Sequence, residues 1–156
     1  MTRNPVRTFA LATAFASLAL TTAAARTSPG ETVKKPTITV YKDAACGCCK
    51  KWIEHLIKNG YRVDAKDAPD MAEIKRTLGV PAGITACHTA VVNGYLIEGH
   101  VPAADIDRLL AQKPRIAGLA VPGMPMGSPG MDGGAVQRYR VLSFDKSGKT
   151  AVFASH

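Results

Sequence analysis

"TITVYKDAACGCCKKWIEHLIKNG", residues 37–60, sets three cysteines between a strand and a helix. Thr37 to Tyr41 alternates and is β-branched, which predicts a strand. Beyond the cysteines, Cys49, Ile53 and Leu56 fall at i, i+4 and i+7, with Trp52 and Ile57 beside them. That spacing predicts an amphipathic helix, closed by Asn59-Gly60.

Downstream, "YRVDAKD" (61–67) reads as a short second strand and "PDMAEIKRTLG" (69–79) as a second helix. Pro69, Asp70 and Glu73 mark its start, Met71, Ile74 and Leu78 its apolar face, and Gly79 its stop. Asn93-Gly94 inside "ACHTAVVNGYLIEGHV" is a strong hairpin signal. "PAADIDRLLAQ" (102–112) follows as a third helix with Ile106, Leu109 and Leu110 inward. From Gly118, "GLAVPGMPMGSPGMDGG" is so rich in glycine, proline and methionine that it predicts an irregular loop. "RYRVLSFDKSGKTAVFA" then predicts a second hairpin around Asp145 to Gly148. Strand, helix, strand, helix, hairpin, helix is the thioredoxin arrangement, which carries a C-x-x-C at the mouth of its first helix. Cys46 and Cys49 take those places, and Cys48 is extra. The fold class predicted is α/β, thioredoxin-like: a central mixed sheet with flanking helices, then a methionine loop and a C-terminal hairpin. Val80-Pro81 precedes the first hairpin, where such folds keep a cis proline facing the thiols.

Upstream, Arg3 and Arg7 precede the apolar run Phe9 to Leu20, which is too short for a stable bilayer span. Ala23 and Ala25 follow in a small-x-small pattern. Residues 1–25 thus read as a Sec-type signal peptide cleaved after Ala25, residues 26–35 as a flexible tether, and residues 36–156 as the folded metal-binding domain. The mature chain is expected in the periplasm with no stable membrane anchor. Cleavage removes two arginines and no acid, so the net charge falls from +8 to +6. The remaining basic residues are scattered and the aromatics few, which argues against nucleic acid as a partner.

All four cysteines (Cys46, Cys48, Cys49, Cys87) lie in the mature part. A disulfide closing so short a loop constrains little of the unfolded chain, so a structural staple explains the cluster poorly. A helix N-terminus carries about half a positive charge and favours thiolate, which is both nucleophile and metal ligand. Lys42, Lys50 and Lys51 are expected to add positive potential. Cys46 and Cys49 can point at one spot, whereas Cys48, next to Cys49, is not expected to point the same way from a regular helix. "ACHTA" brings Cys87 and His88 to the start of the hairpin, near the motif. "GMPMGSPGM" holds Met124, Met126 and Met131 with no helical or strand period and no apolar neighbours. A thioether loop beside thiolates selects copper(I) among the biological metals.

In combination "VYKDAACGCCKKW", "GVPAGITACHTAVVNGYLIEGHVPAADIDRLL" and "GLAVPGMPMGSPGM" resemble the CopG-like family of exported, thioredoxin-like metal-binding proteins associated with copper resistance. The resemblance runs from about Lys35 to Phe153 and implies a periplasmic copper-binding protein in metal homeostasis. It implies metal-site cysteines at Cys46, Cys48, Cys49 and Cys87, and a methionine loop at Met124, Met126 and Met131.

The leading expectation is a copper(I) site of Cys46, Cys49 and Cys87, with Cys48 bridging, His88 nearby and Met126 preferred as the covering thioether. Bridging thiolates leave room for more than one copper ion per chain. Copper ions and other periplasmic copper-handling proteins are the partners expected. A thiol–disulfide oxidoreductase, with Cys46 attacking and Cys49 resolving, is the rival of another class. The two join if the cysteines pass electrons to copper, which would make the chain a copper-linked thiol oxidoreductase. A structural zinc site ranks last, because three ligands within one four-residue turn strain a tetrahedron.

Overall fold

The computed structural model describes residues 34–156, so the signal-peptide segment lies outside the described residues, as does most of the tether. Lys35, at the end of that tether, is tied down: its ammonium reaches Asp107 at 2.7 Å and lies 4.5 Å from the Tyr61 ring centre.

The elements in chain order are β1 (Thr37–Lys42), α1 (Gly47–Lys58), β2 (Arg62–Asp67), α2 (Met71–Leu78), a 3-10 turn (Ala82–Ile84), β3 (His88–Val92), β4 (Tyr95–Glu98), α3 (Ala103–Gln112), β5 (Gly118–Ala120), β6 (Arg140–Phe144) and β7 (Thr150–Ser155). All seven strands join one mixed sheet in the order β2-β1-β3-β4-β5-β6-β7. β1 runs parallel to β2 and antiparallel to β3, and β3 and β4 form the Asn93-Gly94 hairpin. The α/β class, the order of the first seven regular elements and the C-terminal hairpin follow the sequence expectation.

Because side chains alternate across a strand, the sheet buries apolar groups on both faces. Ile38, Val40, Ile97, Leu119 and Val141 pack with Trp52 and Leu56 of α1 and Ile106 and Leu109 of α3. On the other face, Leu96, Ala120 and Phe144 pack with Val80 and Ile84, and Leu78 of α2 lies against them. The Trp52 indole N–H donates to Val101 O at 2.9 Å, which locks α1 against the start of α3.

Three expectations are corrected. Gly118–Ala120 is a strand, not loop. It pairs parallel with β4 and antiparallel with β6, and so fuses the C-terminal hairpin to the sheet. A Cβ on Gly118 would sit 2.0 Å from Leu96 O, so this glycine permits close strand approach rather than marking a turn. Ile57 is exposed, since the buried stripe of α1 is Cys49, Trp52 and Leu56. α2 buries Lys75 while Met71, Ile74 and Leu78 are only partly covered, because a buried carboxylate, Glu98, waits for the ammonium. The peptide bond before Pro81, whose isomer the sequence leaves open, is trans, as are all those of the described residues.

Candidate metal centre

β1 ends at Lys42 and the chain turns through Asp43, whose carboxylate accepts the Ala45 N–H at 2.7 Å. This turn presents Cys46 in extended conformation as the N-cap of α1. Its sulfur accepts the Cys49 N–H at 3.4 Å, doing the work usually left to serine or aspartate. The helix begins at Gly47, so Cys48 and Cys49 belong to its open first turn.

β3 brings the fourth sulfur. Cys87 immediately precedes the strand, and its Sγ lies 3.5 Å from Cys49 Sγ and 3.8 Å from Cys48 Sγ. Cys48 Sγ is 3.5 Å from Cys46 Sγ. All four sulfurs fall within 4.8 Å of one another. Cys48 therefore does point with its neighbours, contrary to expectation. The cluster sits over the mouth of the helix rather than beside it, and side chains of the cap and first turn ring that mouth. Cys46 and Cys49 are joined as a disulfide, and Cys48 and Cys87 are free thiols.

Among the described residues, Met124 is the methionine that reaches the cysteines, its Sδ 4.0 Å from Cys48 Sγ. Met126, the preferred thioether, packs against Gly134 instead, across Pro125 from the site. Met131 serves the loop through its backbone: its N–H donates to Ser128 O at 2.9 Å, and its carbonyl accepts the Gly127 N–H at 3.1 Å. This turn is pressed onto α1, where a Cβ on Gly130 would come within 2.9 Å of Cys48 O and Trp52 N.

His88 is fully buried, its ring centre 4.3 Å from that of Trp52 and its Nδ1 3.4 Å from Cys87 Sγ. Its Nε2 has no hydrogen-bond partner. Sequence reasoning missed His100, equally buried, whose Nε2 lies 3.2 Å from Cys87 Sγ. The signal was present. The Asn93-Gly94 turn pairs Val92 with Tyr95 and Thr89 with Glu98, and the same register, run two residues on, sets Cys87 opposite His100. His100 Nδ1 is 2.8 Å from Pro129 O, a group that only accepts. Nδ1 thus carries the proton, and Nε2 turns a lone pair to the Cys87 sulfur.

Burial, then the charge and hydrogen bond of Cys48, push the Cys87 thiol up to about 12. Burial, then His100 and Lys75, hold His88 down to about 3, and burial also lowers His100. Both imidazoles are therefore neutral, the state that ligates metals. Of the lysines expected to make the site positive, Lys42 is paired with Asp67 and Lys51 lies 3.6 Å from Asp132, so the helix terminus carries more of that task. The donors are sulfur first and imidazole second, a soft set suited to copper(I). Among the described residues no helix is long and apolar enough to cross a membrane.

A family described as "Protein of unknown function, DUF411" matches residues 84–131, which hold Cys87, His88, His100 and the methionine loop. Two solved structures, forms 1 and 2 of a copper resistance protein copG, share 46% identity with this chain. Each match covers 78% of this chain and 98% of the other, with TM-scores of 0.73 and 0.74. No curated protein sequence matches.

Proposed function

We propose, from the premise that this chain belongs to the CopG-like family, that it is an exported copper-binding protein of copper homeostasis and resistance. The observation that carries this is the convergence of four cysteine sulfurs within 4.8 Å, on a helix mouth and a strand end. Met124 and the neutral imidazoles of His88 and His100 adjoin them. Copper is the cargo. With the disulfide reduced, Cys46, Cys48, Cys49 and Cys87 hold copper(I) by thiolate, bridging more than one ion, and Met124 covers the exposed side. The Cys87 proton must leave as metal enters, so uptake releases protons. The signal-peptide pattern supports the periplasm as the place of this work, with other copper-handling proteins as its partners.

The test is anaerobic titration of the reduced mature chain with copper(I), metal counted per chain, against stoichiometric zinc. Copper(I) should displace zinc completely. Retention of zinc would sink the copper reading in favour of a structural zinc site. A second reading, a thiol–disulfide oxidoreductase acting on proteins, is favoured by one observation: the Cys46–Cys49 disulfide at the start of α1. Insulin reduction as fast as that of a true disulfide reductase, abolished in Cys46→Ser, would move the function there.

A further inference from the structure

"EGH", residues 98–100, looks like the plain end of a hairpin. In the fold each of its residues holds one part of "ACHT", residues 86–89. Glu98 is fully buried. Its Oε1 accepts the Ala86 N–H at 2.6 Å and the Lys75 ammonium at 2.5 Å. Its Oε2 accepts the Thr89 hydroxyl at 2.6 Å, and Lys75 also donates to Thr89 Oγ1 at 2.8 Å. The Gly99 N–H donates to His88 O at 3.1 Å, and a Cβ there would stand 2.6 Å from the Ala86 methyl. His100 meets Cys87 itself.

We propose that Glu98, charge-balanced by Lys75, is a positioning residue that clamps Cys87 and His88 at the metal centre. The ladder between β3 and β4 ends at Thr89 and Glu98, so the sheet supplies no partner for Ala86. A carboxylate is the group that accepts at both flanks of Cys87-His88 at once, one oxygen for residue 86 and one for residue 89. Packing alone does not ask for it. A buried ion pair replaced by apolar groups of similar volume often leaves stability unchanged or raised. Apolar groups here would orphan the Ala86 N–H and the Thr89 hydroxyl and free the segment that carries the fourth sulfur.

The link to copper rests on the proposed function, so the first test is metal-free. In a Cys46→Ser/Cys48→Ser chain the remaining thiols, Cys49 and Cys87, lie 3.5 Å apart. Diamide should close them to a disulfide, taking up the two electrons and two protons released. Adding Lys75→Met/Glu98→Leu should slow closure about tenfold or more, because effective concentration falls steeply with misplacement. Lys75→Met/Glu98→Gln, whose amide oxygen still accepts the Ala86 N–H, should recover most of the rate. Thr89→Val, which removes one anchor at constant volume, should slow closure less, and it serves if the leucine variant does not fold. In the four-cysteine chain, Lys75→Met/Glu98→Leu should release bound copper(I) to a chelator faster by a similar factor. Wild-type closure in Thr89→Val and in both double variants would overturn the proposal. Failure of the parent chain to bind copper would overturn the function and leave the clamp standing.

Discussion

Met124 and Met126 flank one proline and meet opposite surroundings. Met124 is 48% exposed and touches Cys48, while Met126 fills the space against Gly134. The side chain that spends apolar surface on solvent is the one at the sulfur cluster, which suits a ligand better than a packing group. Met124→Ala should leave the urea midpoint nearly unchanged and speed copper(I) release to a chelator. A contact of about 1 kcal/mol corresponds to a factor of about five. Met126→Ala should leave release alone and cost some stability. Unchanged release in Met124→Ala would withdraw the thioether from the site. The sequence could not choose between the two, because a Gly-Pro loop has no period from which a direction can be read. The four cysteines and His88 were legible as residue types. His100 was legible only through hairpin register, which the Asn93-Gly94 turn encodes.

Elements reach the site through contacts that propensity does not reveal. The N-terminus of α3 follows Pro102, which offers no side-chain cap. His55 of α1 supplies one, its Nε2 accepting the Ala103 N–H at 3.1 Å. Only a nitrogen without a proton accepts, so the fold requires neutral His55. Burial, then the Lys58 charge, lowers its pKa from 6.5. The sign follows. Between the lowered folded pKa and 6.5 the unfolded chain binds a proton that the folded chain refuses. The contribution is present above about pH 6.5 and is lost as pH falls through the folded pKa. His55→Ala should cost about 1 kcal/mol at pH 7.5, as a lost cap does. Its deficit should shrink toward pH 5 in urea unfolding of the metal-free chain, and a constant deficit across that range would refute the capping role. The helices and both hairpins were legible from periodicity and turn residues. β5 was not, because Gly118 serves strand approach in a segment whose prolines and later glycines truly are loop. Gly130 at φ +87° seats that loop on α1. Gly130→Ala, with a Cβ at 2.9 Å from Cys48 O, should lift the loop and speed copper release by more than Met124→Ala does, since Met124 and Pro129 move together.

At the scale of the whole molecule, one sheet carries both the thiol end and the methionine loop. β1 delivers Cys46, β3 delivers Cys87, β4 leads to His100, and β5 launches the loop that returns over α1. The centre is thus walled by elements locked through the core, with a disulfide at its heart and two free thiols against it. Closing Cys46–Cys49 removes two sulfur ligands, and two thiols that become one disulfide yield two electrons and two protons. Copper(II) is the oxidant the proposed cargo supplies: two copper(II) ions become two copper(I) ions as one disulfide forms. Mixing reduced chain with copper(II) under argon should give two copper(I) per disulfide formed, with the metal trapped by a copper(I)-specific chelator and the pairing read by alkylation and mass mapping. Cys49→Ser should abolish the Cys46–Cys49 product and lower the copper(I) yield. Protein disulfides should be poor oxidants for the same thiols, because Cys49 is fully buried and Cys87 lies against its sulfur. Copper(II) left unreduced while insulin is reduced quickly would reverse that order, and the chain would then trade electrons with proteins rather than with its metal.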